Sequence, residues 1–447
     1  MLYNMRITVP FSHKKINILG RKEEKITLRK FFKTIGPGVI TGGADDDPSG
    51  IATYSQTGAK YGYGFLWTAL FMLPMLYTVQ EMSARIGVVT GRGIASNIKI
   101  YYSKSLLYPL VVLLVIANTI NLGADLGAMA AAAQLLVPVN FIILTVFFTL
   151  LILYLEIFTS YKSYAKILKW LTFSLVAYII TGLLIHQNWL EILKSSIIPS
   201  FQFNIGWLFL IVGVLGTTIS PYMIFWQASE EVEEEIEKHV RPHGGISKIG
   251  STYIGKVRLD TFVGMLFSEV ITWFIFITTA ATLHKQGITS IQSASQAASA
   301  LAPLVNTFPF AGELTKILFA LGIIGTGLLA VPIFAGSAAY AICETESIKE
   351  GLNRKFHNAP GFYIIIIVAT CIGLLINFIG INPIQALVYT AVINGIIAVP
   401  LIGMLLLIAN NRKIMGGYRN NVFKNIIGIA TFVIMGLAAI GVIISLL

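Results

Sequence analysis

The sequence predicts an all-α polytopic membrane protein with about eleven transmembrane helices, and three observations carry that expectation. The chain is 55% hydrophobic and only 12% charged, with a mean hydropathy of +0.77, too oily for a soluble domain. Apolar runs of about 20 residues, the length a helix needs to cross a bilayer, recur between short polar connections. Lysine and arginine are divided unequally between alternate connections, as in membrane proteins of fixed orientation.

The spans are expected near residues 35–59, 63–89, 106–135, 138–159, 166–187, 204–229, 258–284, 310–343, 361–379, 384–409 and 424–446. Before them lies a basic arm, residues 1–33, with nine of the chain's lysines and arginines and no apolar core of a cleavable signal. Residues 34–409 form a ten-helix core, and residues 410–447 a loop and an eleventh helix. With the N-terminus cytoplasmic, only Lys60, Lys194, Lys285 and Lys316 of the 32 basic residues fall outside. That sets an N-terminus-in, C-terminus-out orientation in a plasma membrane, with an anionic inner leaflet as the partner of the basic surface. The net charge of +11 therefore reports topology and gives no support for nucleic-acid binding.

The first span holds TGGADDDPSGIATYSQTG, Thr41 to Gly58, where Asp45, Asp46 and Asp47 directly precede Pro48. An unpaired carboxylate at the bilayer centre costs roughly 2.5–3.5 kcal/mol, and adjacent carboxylates repel. The triplet is therefore expected to hold protons or a cation, with Asp47 also capping the half-helix that starts at Pro48. A polar loop at the membrane surface is the plainer reading, disfavoured by apolar sequence on both sides. Near the inner end of the second span, Glu81 and Arg85 stand at i,i+4 and read as an interfacial pair or a gate element.

The sixth span repeats the interruption with GTTISPYMIFWQ, Gly216 to Gln227. Proline withholds an amide donor and frees a carbonyl, which hydrocarbon tolerates only beside protein, water or an ion. Spans one and six lie an odd number of helices apart, so they cross in opposite directions. That fits a five-plus-five inverted repeat with helices 1 and 6 broken at the midplane around a shared site. Carboxylates with freed carbonyls make a hard-oxygen set for a cation. Thr217 and Gln227 flank the second break as further oxygen donors, or as residues bonding back to their own helix. The acids from Glu230 to Glu237 are expected to carry the sixth helix into water as a solvated face, ended by Gly244 and Gly245. A cation-attracting vestibule with His239 and His243 is the sharper alternative. Glu269 in the seventh span has no partner that the sequence names, and Cys343 and Cys371 lack metal-ligand spacing.

GPGVITGGADDDPSGIATYSQTGAKYGYGFLW, then QEMSARIGVVTGRG and the later GTTISPY, resemble the Nramp family of divalent-metal transporters across nearly the whole chain. The resemblance implies the LeuT-like inverted repeat and import of a divalent metal, often with protons. It also exposes departures. The family's Asp-Pro-Gly-Asn is Asp47-Pro48-Ser49-Gly50 here, and its Met-Pro-His is Ser220-Pro221-Tyr222. Asp47 keeps the metal-binding position, Gly50 lacks the Asn side chain, and Ser220 and Tyr222 replace thioether and imidazole. Thr390 and Asn394 lie near the position of a family Gln that approaches the metal, Asn394 also reading as a helix-to-helix hydrogen bond. Of two third-helix acids tied to protons, only Asp125 remains, as candidate relay or as a buried hydrogen-bonded acid.

Loss of sulfur and gain of carboxylates harden the site, which favours partly hydrated Mg²⁺ ahead of Mn²⁺. Tyr222 cannot exchange protons near neutrality as imidazole does, so weak or no proton coupling is expected. The metal is the transported substrate, no cofactor is expected, and the protein is taken as a monomer. The alternative is an amino-acid or organic-cation transporter on the same fold, with Tyr222, Phe225 and Trp226 as aromatic surroundings for a cation. A membrane enzyme lacks its motif here, and a metal sensor without transport stays open.

Overall fold

The computed structural model describes residues 36–159, 175–202, 204–238, 250–305 and 310–446. The basic arm 1–33, the start of the fifth span, and His239, His243, Gly244 and Gly245 lie outside these residues. Its principal helices are α1 (Pro37–Asp45), α2 (Pro48–Tyr61), α3 (Leu66–Thr90), α4 (Ile94–Tyr101), α5 (Lys104–Ala133), α6 (Phe141–Phe158), α7 (Val176–Leu184) and α8 (Trp189–Ile197). They continue as α9 (Ile205–Thr218), α10 (Pro221–Glu237), α11 (Ser251–Thr282), α12 (Ala311–Glu346), α13 (Pro360–Ile376), α14 (Pro383–Asn410) and α15 (Val422–Leu446).

Nine helical stretches among the described residues are long and apolar enough to cross a membrane, where the sequence suggests eleven. The difference has two sources. A short 3₁₀ turn joins α2 to α3, making Pro48–Thr90 one helical stretch, and the fifth span is described only from Leu175 onward.

Both expected interruptions are present, and both have the same local cause. Asp46 (φ −84°, ψ 50°) and Asp47 (φ −65°, ψ 170°) separate α1 from α2, and Pro48 opens α2. Ile219 (φ −109°, ψ 67°) and Ser220 (φ −81°, ψ 142°) separate α9 from α10, and Pro221 opens α10. A residue before proline is pushed into extended backbone, and proline fits the first helical position because no donor is needed there.

Glycines bring these half-helices against long neighbours. A Cβ on Gly42 would lie 2.3 Å from backbone atoms of Gly264, so α1 meets α11 backbone to backbone. A Cβ on Gly216 would lie 2.2 Å from the Ala391 carbonyl oxygen and the Gly395 nitrogen, which sets α9 equally close to α14. Such small-residue contacts are how helices approach without a hydrophobic driving force. The start of α1 is held by α11 as well: Asp260 accepts the Gly36 and Gly38 amides at 3.0 and 2.8 Å.

The acidic end of α10 departs from the solvated face expected of it. The helix does run to Glu237, but Glu230, Glu231 and Glu235 are buried. Gln227 donates to Glu231 at 2.8 Å, and Lys238 pairs with Glu234 at 2.7 Å.

Candidate functional site

At each break the proline denies one carbonyl its amide, and a hydroxyl serves that carbonyl. Pro48 cannot supply the amide that would bond the Ala44 carbonyl four residues back, and Tyr222 Oη donates to that oxygen at 3.0 Å. Pro221 leaves the Thr217 carbonyl in the same position, and Ser220 Oγ donates to it at 2.6 Å and to the Gly216 carbonyl at 2.9 Å. The carbonyls that the two prolines leave without an amide are thus served across and within the two breaks.

The side chains between them form an oxygen-only cluster. Asp47 caps α2, accepting the Gly50 amide at 2.7 Å, as its position before proline leads one to expect. Ser49 Oγ lies 2.8 and 2.9 Å from the two Asp47 oxygens and 3.2 Å from Thr217 Oγ1, which itself lies 3.5 Å from Asp47 Oδ1. Tyr54 and Thr218 join their hydroxyls at 2.8 Å on the neighbouring turns. All these groups are buried, with Asp47, Thr217 and Ser220 at 1% exposure.

The three acids do not converge. Asp47 faces α9, whereas Asp45 and Asp46 face α11. Ser268 Oγ donates to Asp45 at 2.6 Å and approaches Asp46 at 3.3 Å, and Thr272 Oγ1 lies 3.5 Å from Asp46. Among the described residues Asp45 Oδ1 and Asp46 Oδ2 have no hydrogen-bond partner, nor do the oxygens of the buried Glu269. Among the described residues no three His, Cys, Asp or Glu side chains are gathered in a way that could hold a metal ion. The polar groups gathered at the breaks are one carboxylate, hydroxyls and carbonyls, all of them hard oxygen atoms.

The remaining expected residues are placed as follows. Gly50 is closely packed beside Asp47: a Cβ there would lie 3.2 Å from the Tyr54 ring and 3.3 Å from Asp47 Oδ1 and the Asp45 carbonyl oxygen. Tyr222 is fully buried, its ring edge-on to Phe334 at 4.3 Å. Asp125 is buried on α5, and among the described residues neither of its oxygens is hydrogen-bonded, in place of the hydrogen-bonded acid that was the alternative to a relay. On α14, Thr390 bonds back to the Leu387 carbonyl at 2.8 Å, and Asn394 accepts from Asn121 of α5 at 2.7 Å. Ser49, Tyr54, Ser268 and Thr272 escaped the sequence reading. Ser49 left a signal, a hydroxyl two residues after a capping Asp, and Tyr54 follows on the same helix, whereas Ser268 and Thr272 reach the site from α11, far away in sequence.

Residues 38–445 match the family described as Nramp, natural resistance-associated macrophage protein-like. A divalent metal cation transporter MntH of Klebsiella pneumoniae subsp. pneumoniae is 27% identical over 431 residues, covering 94% of each chain. A manganese transporter of Eremococcus coleocola, solved with an aromatic bis-isothiourea substituted compound, aligns with a TM-score of 0.74 at 17% identity, over 98% of this chain and 89% of that one. Mhp1, a nucleobase-cation-symport-1 family transporter in a closed conformation with bromovinylhydantoin bound, aligns with a TM-score of 0.52 at 12% identity, over 92% and 93% of the two chains. At these identities the structural likenesses speak to the fold, the LeuT-like inverted repeat.

Proposed function

The chain belongs to the Nramp family, and from that premise we propose that it imports a divalent metal cation, Mg²⁺ ahead of Mn²⁺, by alternating access with weak or no proton coupling. The observation that carries the metal preference is the cluster of Asp47, Ser49 and Thr217, buried and built only from oxygen, with Ser220 where the family has a thioether. Oxygen donors do not discriminate against Mg²⁺ as sulfur does. One carboxylate with hydroxyls suits an ion that keeps part of its water. Family membership sets aside the membrane-enzyme reading. An organic cation would want open aromatic faces, whereas Tyr222, Phe225 and Trp226 are at most 1% exposed.

In this mechanism the ion enters from the outer face and exchanges some water for Asp47 oxygen. It competes with Tyr222 and Ser220 for the Ala44 and Thr217 carbonyls, each of which retains a second lone pair. Rocking of the helices that carry the two breaks then opens the inner side. With the N-terminus cytoplasmic, an inward membrane potential contributes roughly 4.6 kcal/mol per dication per 100 mV, twice the single-charge figure. Asp125 is the remaining candidate proton relay, and Tyr222 in place of imidazole is the reason for weak coupling. The test is metal uptake into proteoliposomes with an internal pH dye. Mg²⁺ and Mn²⁺ uptake that compete with each other, without stoichiometric acidification, is expected. Strong Fe²⁺ or Cd²⁺ uptake that Mg²⁺ does not compete against would reject the preference.

A further inference from the structure

Where α3, α11 and α15 meet at their membrane ends, one carboxylate serves three cations. Glu81 of α3 is fully buried. Its Oε1 accepts Arg85 Nε at 3.0 Å, Arg258 Nε from α11 at 2.8 Å and Lys424 Nζ from α15 at 2.6 Å. Arg85 turns its remaining nitrogens inward, to the Tyr418 carbonyl and the Asn420 side-chain oxygen. The other two cations are not satisfied in this way.

Among the described residues the Arg258 side chain makes no hydrogen bond beyond Glu81. Four of its five N–H groups are thereby left over, on a side chain that is 43% exposed. Lys424 Nζ likewise has Glu81 alone, and its side chain is 16% exposed. The neighbouring acids are engaged elsewhere: Asp260 holds the Gly36 and Gly38 amides, and Glu234 pairs with Lys238. Among the described residues the carboxylate paired with Arg85, Arg258 and Lys424 is Glu81 alone, so three cations share one anion at this corner.

The surroundings select the kind of anion. Phe262, one turn along α11 from Arg258, is exposed and meets Tyr77 of α3 edge-on at 5.5 Å. Leu259 and Leu266 of α11, and Phe423 and Ile426 of α15, are exposed as well. Exposed apolar side chains on membrane-spanning helices face acyl chains, so an anion here carries hydrocarbon with it. We infer that Arg258 and Lys424 form a binding site for the phosphate of an anionic phospholipid headgroup, with the acyl chains along Phe262, Leu266 and Ile426. The site requires only that this corner lie at a membrane interface, and is independent of which metal is carried. Its consequence is mechanical. The lipid would bridge α15 to α11, the helix that caps α1 through Asp260 and holds Asp45 and Asp46 through Ser268 and Thr272.

The test is native mass spectrometry of the full chain with equimolar phosphatidylglycerol and phosphatidylcholine of matched acyl chains. The wild type is expected to retain phosphatidylglycerol selectively. Arg258→Gln and Lys424→Gln should each lower that selectivity about fivefold, the weight of one cation near an anionic surface. Melting temperature in phosphatidylcholine alone separates lost binding from lost folding, and Lys424→Gln carries the test if Arg258→Gln fails to fold. No selectivity in the wild type, or selectivity unchanged in both variants, overturns the site. Equal thermal stabilisation by millimolar inorganic phosphate without anionic lipid overturns the lipid in favour of a soluble anion.

Discussion

Tyr222 donates its hydroxyl to the Ala44 carbonyl at 3.0 Å, tying the second half of the sixth span to the first half of the first. The bond replaces the amide that Pro48 cannot offer, and it joins the Ser49–Thr217 and Tyr54–Thr218 contacts in linking the two interruptions. Tyr222→Phe removes that donor and leaves a buried carbonyl short of a partner, a loss of about 1–3 kcal/mol. The expected result is a lower melting temperature with metal binding retained, measured by thermal shift and calorimetric titration of the same preparation. Unchanged stability would mean that the bond does not hold the half-helices together.

Asp45 and Asp46 are turned towards Ser268 and Thr272 of α11, away from the Asp47–Ser49–Thr217 cluster. Asp45→Asn and Asp46→Asn should therefore weaken Mg²⁺ binding less than Asp47→Asn does. Titration calorimetry on the three variants ranks them. A larger loss at Asp45 or Asp46 would move the ligand role to the α11 side of the break.

The paired breaks were legible because proline writes its effect locally: Pro48 and Pro221 each force the preceding residue out of the helix, and each opens a new half-helix. Asp47 was legible for the same reason, a capping acid directly before proline. The divergence of the three aspartates was not, because Ser268 and Thr272 lie more than two hundred residues away and polar residues in a span carry no address. The buried acids of α10 were misread since a run of glutamates resembles a solvated face, and nothing local marks burial. The i,i+4 pair of Glu81 and Arg85 was visible, but the arrival of Arg258 and Lys424 on the same oxygen was a tertiary fact.

Ser220 marks the point where a family thioether is absent. Ser220→Met should raise the preference for Mn²⁺ over Mg²⁺ by about tenfold, equivalent to roughly 1.4 kcal/mol, because sulfur adds affinity only for the softer ion. The readout is competition between the two ions in proteoliposome uptake. The same substitution removes the hydroxyl from the Thr217 carbonyl, so a modest fall in melting temperature should accompany the switch.

Glu350 lies in the connection between α12 and α13, outside the spans. Burial, with the Glu344 and Glu233 carboxylates beside it, pushes its carboxyl up to about 10, so it is protonated at neutral pH. Its folded pKa exceeds its unfolded one, so the folded state binds the extra proton and stability falls as pH rises between the two values. Melting temperature should decline from mildly acidic to alkaline pH, and Glu350→Gln should flatten part of that decline. A slope unchanged by Glu350→Gln would assign the decline to other groups.

The central claim is that Asp47 is the charged ligand of a divalent ion between the two breaks, and calorimetric titration of Mg²⁺ into the wild type and Asp47→Asn tests it most directly. Asparagine keeps the helix cap while removing the charge, so folding and binding are separated. Saturable Mg²⁺ binding in the wild type that disappears in a folded Asp47→Asn protein is the predicted result. Equal binding by both proteins would contradict the account.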